Sequence, residues 1–271
     1  MKYLASWILL AMMLVATPAS ATGDELILGV FDTTQNRSSV VRQYRGLATY
    51  LKRILKQDVS VETAKTLEEF LAGAKSGRYA MMYGPPSMIM AASKQAGYRP
   101  IVKVPGRLAP YFMSLTKTGI SFPEDMKGRR IGFTEESAMI TQLGLALLRA
   151  EKIDPAKYFK SVVYFADADS VLSAMRNDVI DIGVANSSLL NAWTGKGNDI
   201  ALVMQGAGVP HLTFAVREDF SGGQKKLLTE ALLKAHKDPE GRDYFTTSRF
   251  PNFEVAKLED YDELVKVLQI K

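Results

Sequence analysis

Apolar residues along this chain fall into two kinds of segment that alternate. Leu26–Phe31 (LILGVF) is a short continuous apolar run and predicts a buried strand. From Arg37 to Lys56, Val40, Val41, Tyr44, Leu47, Leu51, Ile54 and Leu55 recur at helical spacing. Val59–Thr63 alternates like a strand. Thr66, with Glu69 three residues later, carries a capping-box signature, and Gly77 ends that helix beyond about Lys75. Tyr79–Tyr83 (YAMMY) predicts the next strand. Gly84-Pro85-Pro86-Ser87 then turns the chain into a helix ending near Gly97, and Arg99–Val104 predicts a further strand.

The same grammar then repeats. Strands are predicted at Arg130–Phe133, Ser161–Phe165, Ile180–Ala185 and Ile200–Gln205. Helices are predicted at Ser137–Lys152, Asp169–Arg176 and Ser187–Trp193. Strands alternating with helices indicate βαβ units and a mainly parallel sheet. Two blocks also share one layout of helix, short strand, hydroxyl-bearing turn and helix. One runs from Leu67 through Tyr79–Tyr83 to Ser87, the other from Val171 through Asp181–Ala185 to Ser187. This predicts an α/β protein of two similar lobes. The extended stretches Tyr111–Thr118 and His211–Arg217 are the expected crossings between them. The first lobe is then discontinuous, residues 22–112 and 216–271, and the second comprises 113–215. Two connections of this kind form a hinge.

The N-terminus changes the picture of where the chain works. Lys2 precedes the apolar run Leu4–Val15, which is shorter than the roughly 20 residues a membrane span requires. Ala19-Ser20-Ala21 follows as a small-x-small site, so residues 1–21 read as a cleaved export signal and the protein as periplasmic. No Cys occurs, which excludes a lipoprotein anchor, disulfides and thiolate metal sites. With 47% hydrophobic residues the core must suffice, and it can. A net charge of +5 with both signs interspersed does not indicate nucleic-acid binding. Two His, and no nucleophile elbow, Walker loop or zincin motif, leave no catalytic constellation and no cofactor site; a monomeric binding protein is expected.

Candidate chemistry lies where strands end and helices begin, because helix N-termini expose unpaired N–H groups that suit anions. Four such turns stand out: Asp32-Thr33-Thr34, Tyr83-Gly84-Pro85-Pro86-Ser87, Thr134-Glu135-Glu136-Ser137, and Asn186-Ser187-Ser188. The same residue types also serve simply as helix caps. Tyr44, Tyr83 and Tyr111 are candidate aromatic walls, Tyr44 being equally a core residue of the first helix. His211 is the only His placed near the cleft. Glu135 and Glu136 put negative charge where an oxyanion would sit. They either compensate the helix dipole or recognise a cationic amine on the ligand.

The motifs resemble a known family. Asn36–Leu51 is similar to the first helix of phosphate/phosphite/phosphonate ABC-transporter binding proteins, and Tyr83–Ser87 resembles their aromatic-Gly-Pro-x-Ser turn. Asp125–Phe133 resembles the strand entering their second lobe, and Val209–Arg217 the return crossing. The resemblance implies a type II periplasmic binding-protein fold that delivers a small ligand to a membrane permease, with Tyr83 and Ser87 holding the anion. The family's second-lobe Ser-Thr-Ser helix start is replaced by Thr134-Glu135-Glu136-Ser137, and its His-Asp pair by Ala168-Asp169. The expected ligand is therefore a small anion or zwitterion, a phosphonate- or phosphate-like oxyanion foremost. The alternative partner is a membrane sensor, a receptor kinase or cyclase, in place of a permease.

Overall fold

The computed structural model describes residues 25–31, 37–64 and 66–271. The export signal and Thr33 lie outside the described residues. The first run of elements is β1 (Leu26–Val30), α1 (Arg37–Leu55), β2 (Val59–Thr63), α2 (Leu67–Lys75), β3 (Met81–Gly84), α3 (Pro86–Ala96) and β4 (Tyr98–Lys103). After the short β5 (Arg107–Leu108) come β6 (Tyr111–Leu115), β7 (Arg130–Phe133), α4 (Met139–Ala150), α5 (Pro155–Tyr158) and β8 (Ser161–Tyr164). These are followed by α6 (Ala168–Arg176), β9 (Ile182–Ala185), α7 (Ser187–Gly195) and β10 (Ile200–Gln205). The chain closes with β11 (Val209–Pro210), β12 (Thr213–Arg217), α8 (Gly222–Lys234), α9 (Pro239–Ser248), β13 (Glu254–Val255) and α10 (Asp262–Val267).

Two sheets carry the fold. The first has the order β13-β4-β12-β3-β1-β2 and the second β10-β6-β9-β7-β8. Read from β2 and from β8, the two orders correspond place by place. In each, the fourth strand runs antiparallel to its neighbours: β12 against β3 and β4, β6 against β9 and β10. The two blocks that look alike in sequence supply β3 and β9, which occupy equivalent third places. Tyr111–Leu115 and Thr213–Arg217, read as extended crossings, are thus internal strands of the second and first sheets. The chain changes sheet just before each of them, where β5 and β11 pair as a two-stranded ribbon.

Periodicity explains which faces are buried. Val40, Tyr44, Leu47 and Leu51 of α1 lie one turn apart and pack on the first sheet. Helix α9 packs on α1, and Arg53 in the last turn of α1 reaches Asp238 at 2.6 Å and Glu240 at 2.9 Å, at the start of α9. This anchors the C-terminal segment to the first sheet. In the second sheet, helix α6 lies so close that a Cβ on Gly183 would stand 2.5 Å from Met175 Sδ and 2.8 Å from Val171 Cγ1. At the start of β7, the Arg130 guanidinium grips both carboxylate oxygens of Asp181, at 2.6 and 3.0 Å.

One apolar cluster joins the two halves. Tyr261 and Leu264 of the C-terminal segment share it with Val209 of the ribbon and Leu143 of α4. The buried Tyr261 hydroxyl pairs with Thr213 Oγ1 at 2.8 Å.

Candidate functional site

Strands β1 and β3 of the first sheet and β7 of the second end at one cleft. A cavity of about 290 Å³ is lined on the first-sheet side by Phe31, Tyr44, Tyr83, Ser87, Met88 and Leu212 among others. Glu135, Ser137, Ala138, Met139 and Gln142 line it from the second-sheet side. The positions follow from local sequence. Phe31 follows β1 and Gly84 ends β3, and the two lie side by side, the Phe31 N–H donating to Tyr83 O at 3.2 Å. Pro86 opens α3 with φ already helical, and no N–H is lost that the helix could have used. Ser87 follows directly on the cavity wall.

The first-sheet wall is an aromatic block. Tyr83 is fully buried, and its hydroxyl is 2.5 Å from that of Tyr244. The Tyr44 ring centroid lies 5.8 Å from that of Tyr83 and 5.4 Å from that of Tyr244, and Phe253 lies 5.9 Å from Tyr83. Burial, with the neighbouring Tyr244 and Tyr44, pushes the Tyr83 phenol well above its ordinary pKa, so it stays protonated. Tyr83 therefore borders the cavity from within the core, with its hydroxyl turned to Tyr244.

The second-sheet wall is a polar turn. Helix α4 begins at Met139, two residues after the expected Ser137, and has no side-chain cap. The turn is closed instead by the Ala138 N–H donating to Glu135 O at 2.9 Å and by the Gln142 amide donating to Glu136 O. Glu135, Glu136 and Ser137 are exposed. The first N–H groups of α4, like those of any helix, lack partners one turn back and point toward the cleft end.

The sequence candidates are thus partly brought together. Tyr44, Tyr83, Ser87, Glu135 and Ser137 share one cavity, whereas Tyr111, Thr134, Asn186 and His211 do not line it. Tyr111 is the first residue of β6, opposite Gln205 and Ala185. Thr134 Oγ1 pairs with Thr141 Oγ1 at 3.1 Å, tying the turn to α4. Asn186 caps α7, its Oδ1 accepting the Leu189 N–H at 3.0 Å. The His211 Nδ1 accepts the Leu212 N–H at 2.8 Å, its ring packs on Phe250, and burial lowers its pKa. Phe31, Met88, Met139, Gln142 and Leu212 are wall residues that sequence reading missed. Met139 and Gln142, one turn apart just after the polar turn, were the readable signal.

Among the described residues lining this cavity there is no Lys or Arg. Charge on a ligand would be met by hydroxyls, backbone N–H groups and helix dipoles. Among the described residues there is also no group of three or more His, Cys, Asp or Glu able to hold a metal, and no helix long and apolar enough to cross a membrane.

Comparison with known proteins adds a family. The sequence profile described as "ABC transporter, phosphonate, periplasmic substrate-binding protein" matches residues 30–261. No curated protein matches the sequence. Among solved structures, the Xanthomonas citri protein XAC2383 bound to ATP superimposes with a TM-score of 0.72 at 15% identity, covering 90% of this chain and 95% of that one. PhnD1 from Prochlorococcus marinus in complex with methylphosphonate gives 0.69 at 13% identity, covering 90% and 97%. A binding-protein component of an ABC phosphonate transporter from Pseudomonas aeruginosa gives 0.64 at 13% identity, covering 90% and 86%. These likenesses place the fold among type II periplasmic binding proteins.

Proposed function

Because the chain belongs to the family of periplasmic substrate-binding proteins of phosphonate-type ABC transporters, we propose that it captures a small anionic or zwitterionic ligand in this cleft, a phosphonate- or phosphate-like oxyanion foremost. The observation that carries the reading is the pair of hydroxyls, Ser87 beside the start of α3 and Ser137 before α4, on opposite walls of one cavity. The Ser87 N–H at the start of α3 and the first N–H groups of α4 lack partners one turn back, so one oxyanion can accept hydrogen bonds from both sides. Methylphosphonate and ATP, held by two of the solved relatives, both carry phosphorus oxyanions, which agrees with that ligand class.

The absence of a basic side chain among the described residues lining the cavity favours a singly charged or zwitterionic ligand over a dianion, and Glu135 suits an amine on the far side of such a ligand. Contacts to both walls would favour the closed arrangement of two lobes, hinged where β5 pairs with β11. The closed form is what a permease would recognise. We further propose that residues 1–21 are removed on export and that the protein acts as a monomer without nucleic-acid partners.

A thermal-shift panel tests this. It spans phosphate, phosphite, alkyl- and aminoalkylphosphonates, other oxyanions and small zwitterions. A ligand at 100 times its Kd adds about 2.7 kcal/mol to stability. Stabilisation by phosphonates or zwitterions is the expected result. A panel in which no oxyanion or zwitterion raises the Tm overturns the reading, and stabilisation by dianions alone overturns the role given to Glu135.

A further inference from the structure

The ligand chamber does not end at Ser87. A second cavity of about 510 Å³ adjoins it and shares Phe31, Ser87, Met88, Ser137 and Gln142 with it. Beyond these shared residues its walls are apolar: Leu67 of α2, Ala91 of α3, and Leu268 and Ile270 of the C-terminal segment face it, with Thr66 the one added polar residue among the described residues. The C-terminal segment is held there by its backbone. Lys94 Nζ donates to Ile270 O at 2.7 Å and Gln95 Nε2 to Lys271 O at 2.8 Å. Leu67 is 45% exposed at the first position of α2, a site where the helix itself needs no large apolar side chain.

Size and charge separate the two spaces. The chamber of about 290 Å³ already exceeds what one oxyanion group fills, and it alone holds the acidic Glu135, while the Ser87 and Ser137 hydroxyls stand on the boundary that both spaces share. The adjoining annex is larger, mostly apolar, and has no charged side chain on its described walls. Ligand sites combine a few polar groups that fix orientation with apolar walls that supply affinity. We propose that the annex receives the alkyl or aryl tail of the ligand whose oxyanion head lies between Ser87 and Ser137, so that the cleft selects an amphiphilic organic anion over a compact one. The inference rests on the head-group reading above and specifies the substrate class of that same site.

The test uses the full exported chain, stripped of ligand by unfolding and refolding, and calorimetric titration with methyl-, butyl- and octylphosphonate and the matching alkyl sulfonates. Each methylene buried in the annex should tighten binding about fourfold, so the octyl member, with about four of its seven added methylenes buried, should bind at least about a hundredfold tighter than the methyl member. Ala91→Phe, which fills the annex, should bring the octyl-to-methyl ratio down toward one. Leu67→Glu, at an exposed position that does not endanger folding, should lower the same ratio. A flat dependence on chain length in a series whose methyl member binds overturns the annex and leaves the head-group reading standing. Failure of every member of both series to bind overturns the annex, and the head-group reading falls with it only if the aminoalkylphosphonates and compact oxyanions of the panel also leave the Tm unchanged. An octyl advantage that survives both substitutions places the tail elsewhere and also overturns the proposal.

Discussion

The two walls of the cleft are held in opposite ways. On the first-sheet side, Tyr44, Tyr83, Tyr244 and Phe253 form one buried block, and the wall is the outer surface of the core itself. On the second-sheet side, Glu135, Glu136 and Ser137 stand exposed on a turn closed by a few hydrogen bonds. Chemistry carried by this aromatic block is therefore inseparable from stability. On the second it can change at little structural cost, and that is where this chain departs from the Ser-Thr-Ser start its family resemblance led us to expect.

Substitutions at Tyr83 should have the largest effects. Tyr83→Ala empties a fully buried site and should cost about 3–5 kcal/mol in denaturant unfolding. Tyr83→Phe keeps the ring and removes one buried hydrogen bond to the Tyr244 hydroxyl, at about 0.5–1.5 kcal/mol. In both, stability should fall more than ligand affinity. A Tyr83→Phe protein of unchanged stability but much weaker binding would move the hydroxyl from the core to the ligand and collapse the contrast between the walls.

Acid should act next, on the framework of the second wall. The hydrogen bonds from Arg130 hold the Asp181 carboxyl below its usual pKa. The stability this contributes is fully present above the unfolded value of about 3.9 and is lost as pH falls through the lower folded value. Melting curves below about pH 4 should steepen in their pH dependence for the native protein and flatten for Asp181→Asn. Equal acid limbs for the two would remove this pair from the account.

Glu135→Gln should give the smallest effect and the sharpest one for function. The side chain is exposed, so stability should change by less than about 0.5 kcal/mol. Affinity for simple oxyanions should rise about threefold, as expected for removing one like charge in a hydrated cleft. Affinity for an aminoalkylphosphonate should fall. Tighter binding of both ligands would assign Glu135 to dipole compensation alone.

Much of the fold is legible in the chain because each main element carries its own period. Val40, Tyr44, Leu47 and Leu51 announce α1, and the alternation of strands and helices announces both sheets. The two-residue strands β5, β11 and β13 carry no period; they exist through partners far along the chain, such as Leu108 opposite Val209. For the same reason the crossings lie outside the longer strands first read as crossings. The site is less legible. A Tyr at the end of a strand reads alike whether its hydroxyl meets a ligand or, as at Tyr83, another Tyr from residue 244. Asn186 and Ser137 are both cap-forming residue types near a helix start, yet the first caps α7 and the second, two residues before α4, lines the cavity. Only the packing of the halves separates them, and that depends on contacts such as Leu143 with the C-terminal segment.

The central claim is that one ligand is gripped by both walls. Small-angle scattering tests it most directly, on ligand-stripped protein with and without a saturating amount of the most stabilising ligand of the panel. The account predicts a smaller radius of gyration with ligand bound, as the halves close about the β5–β11 ribbon. Superimposable profiles at saturation would show a ligand held by one wall alone and would contradict it.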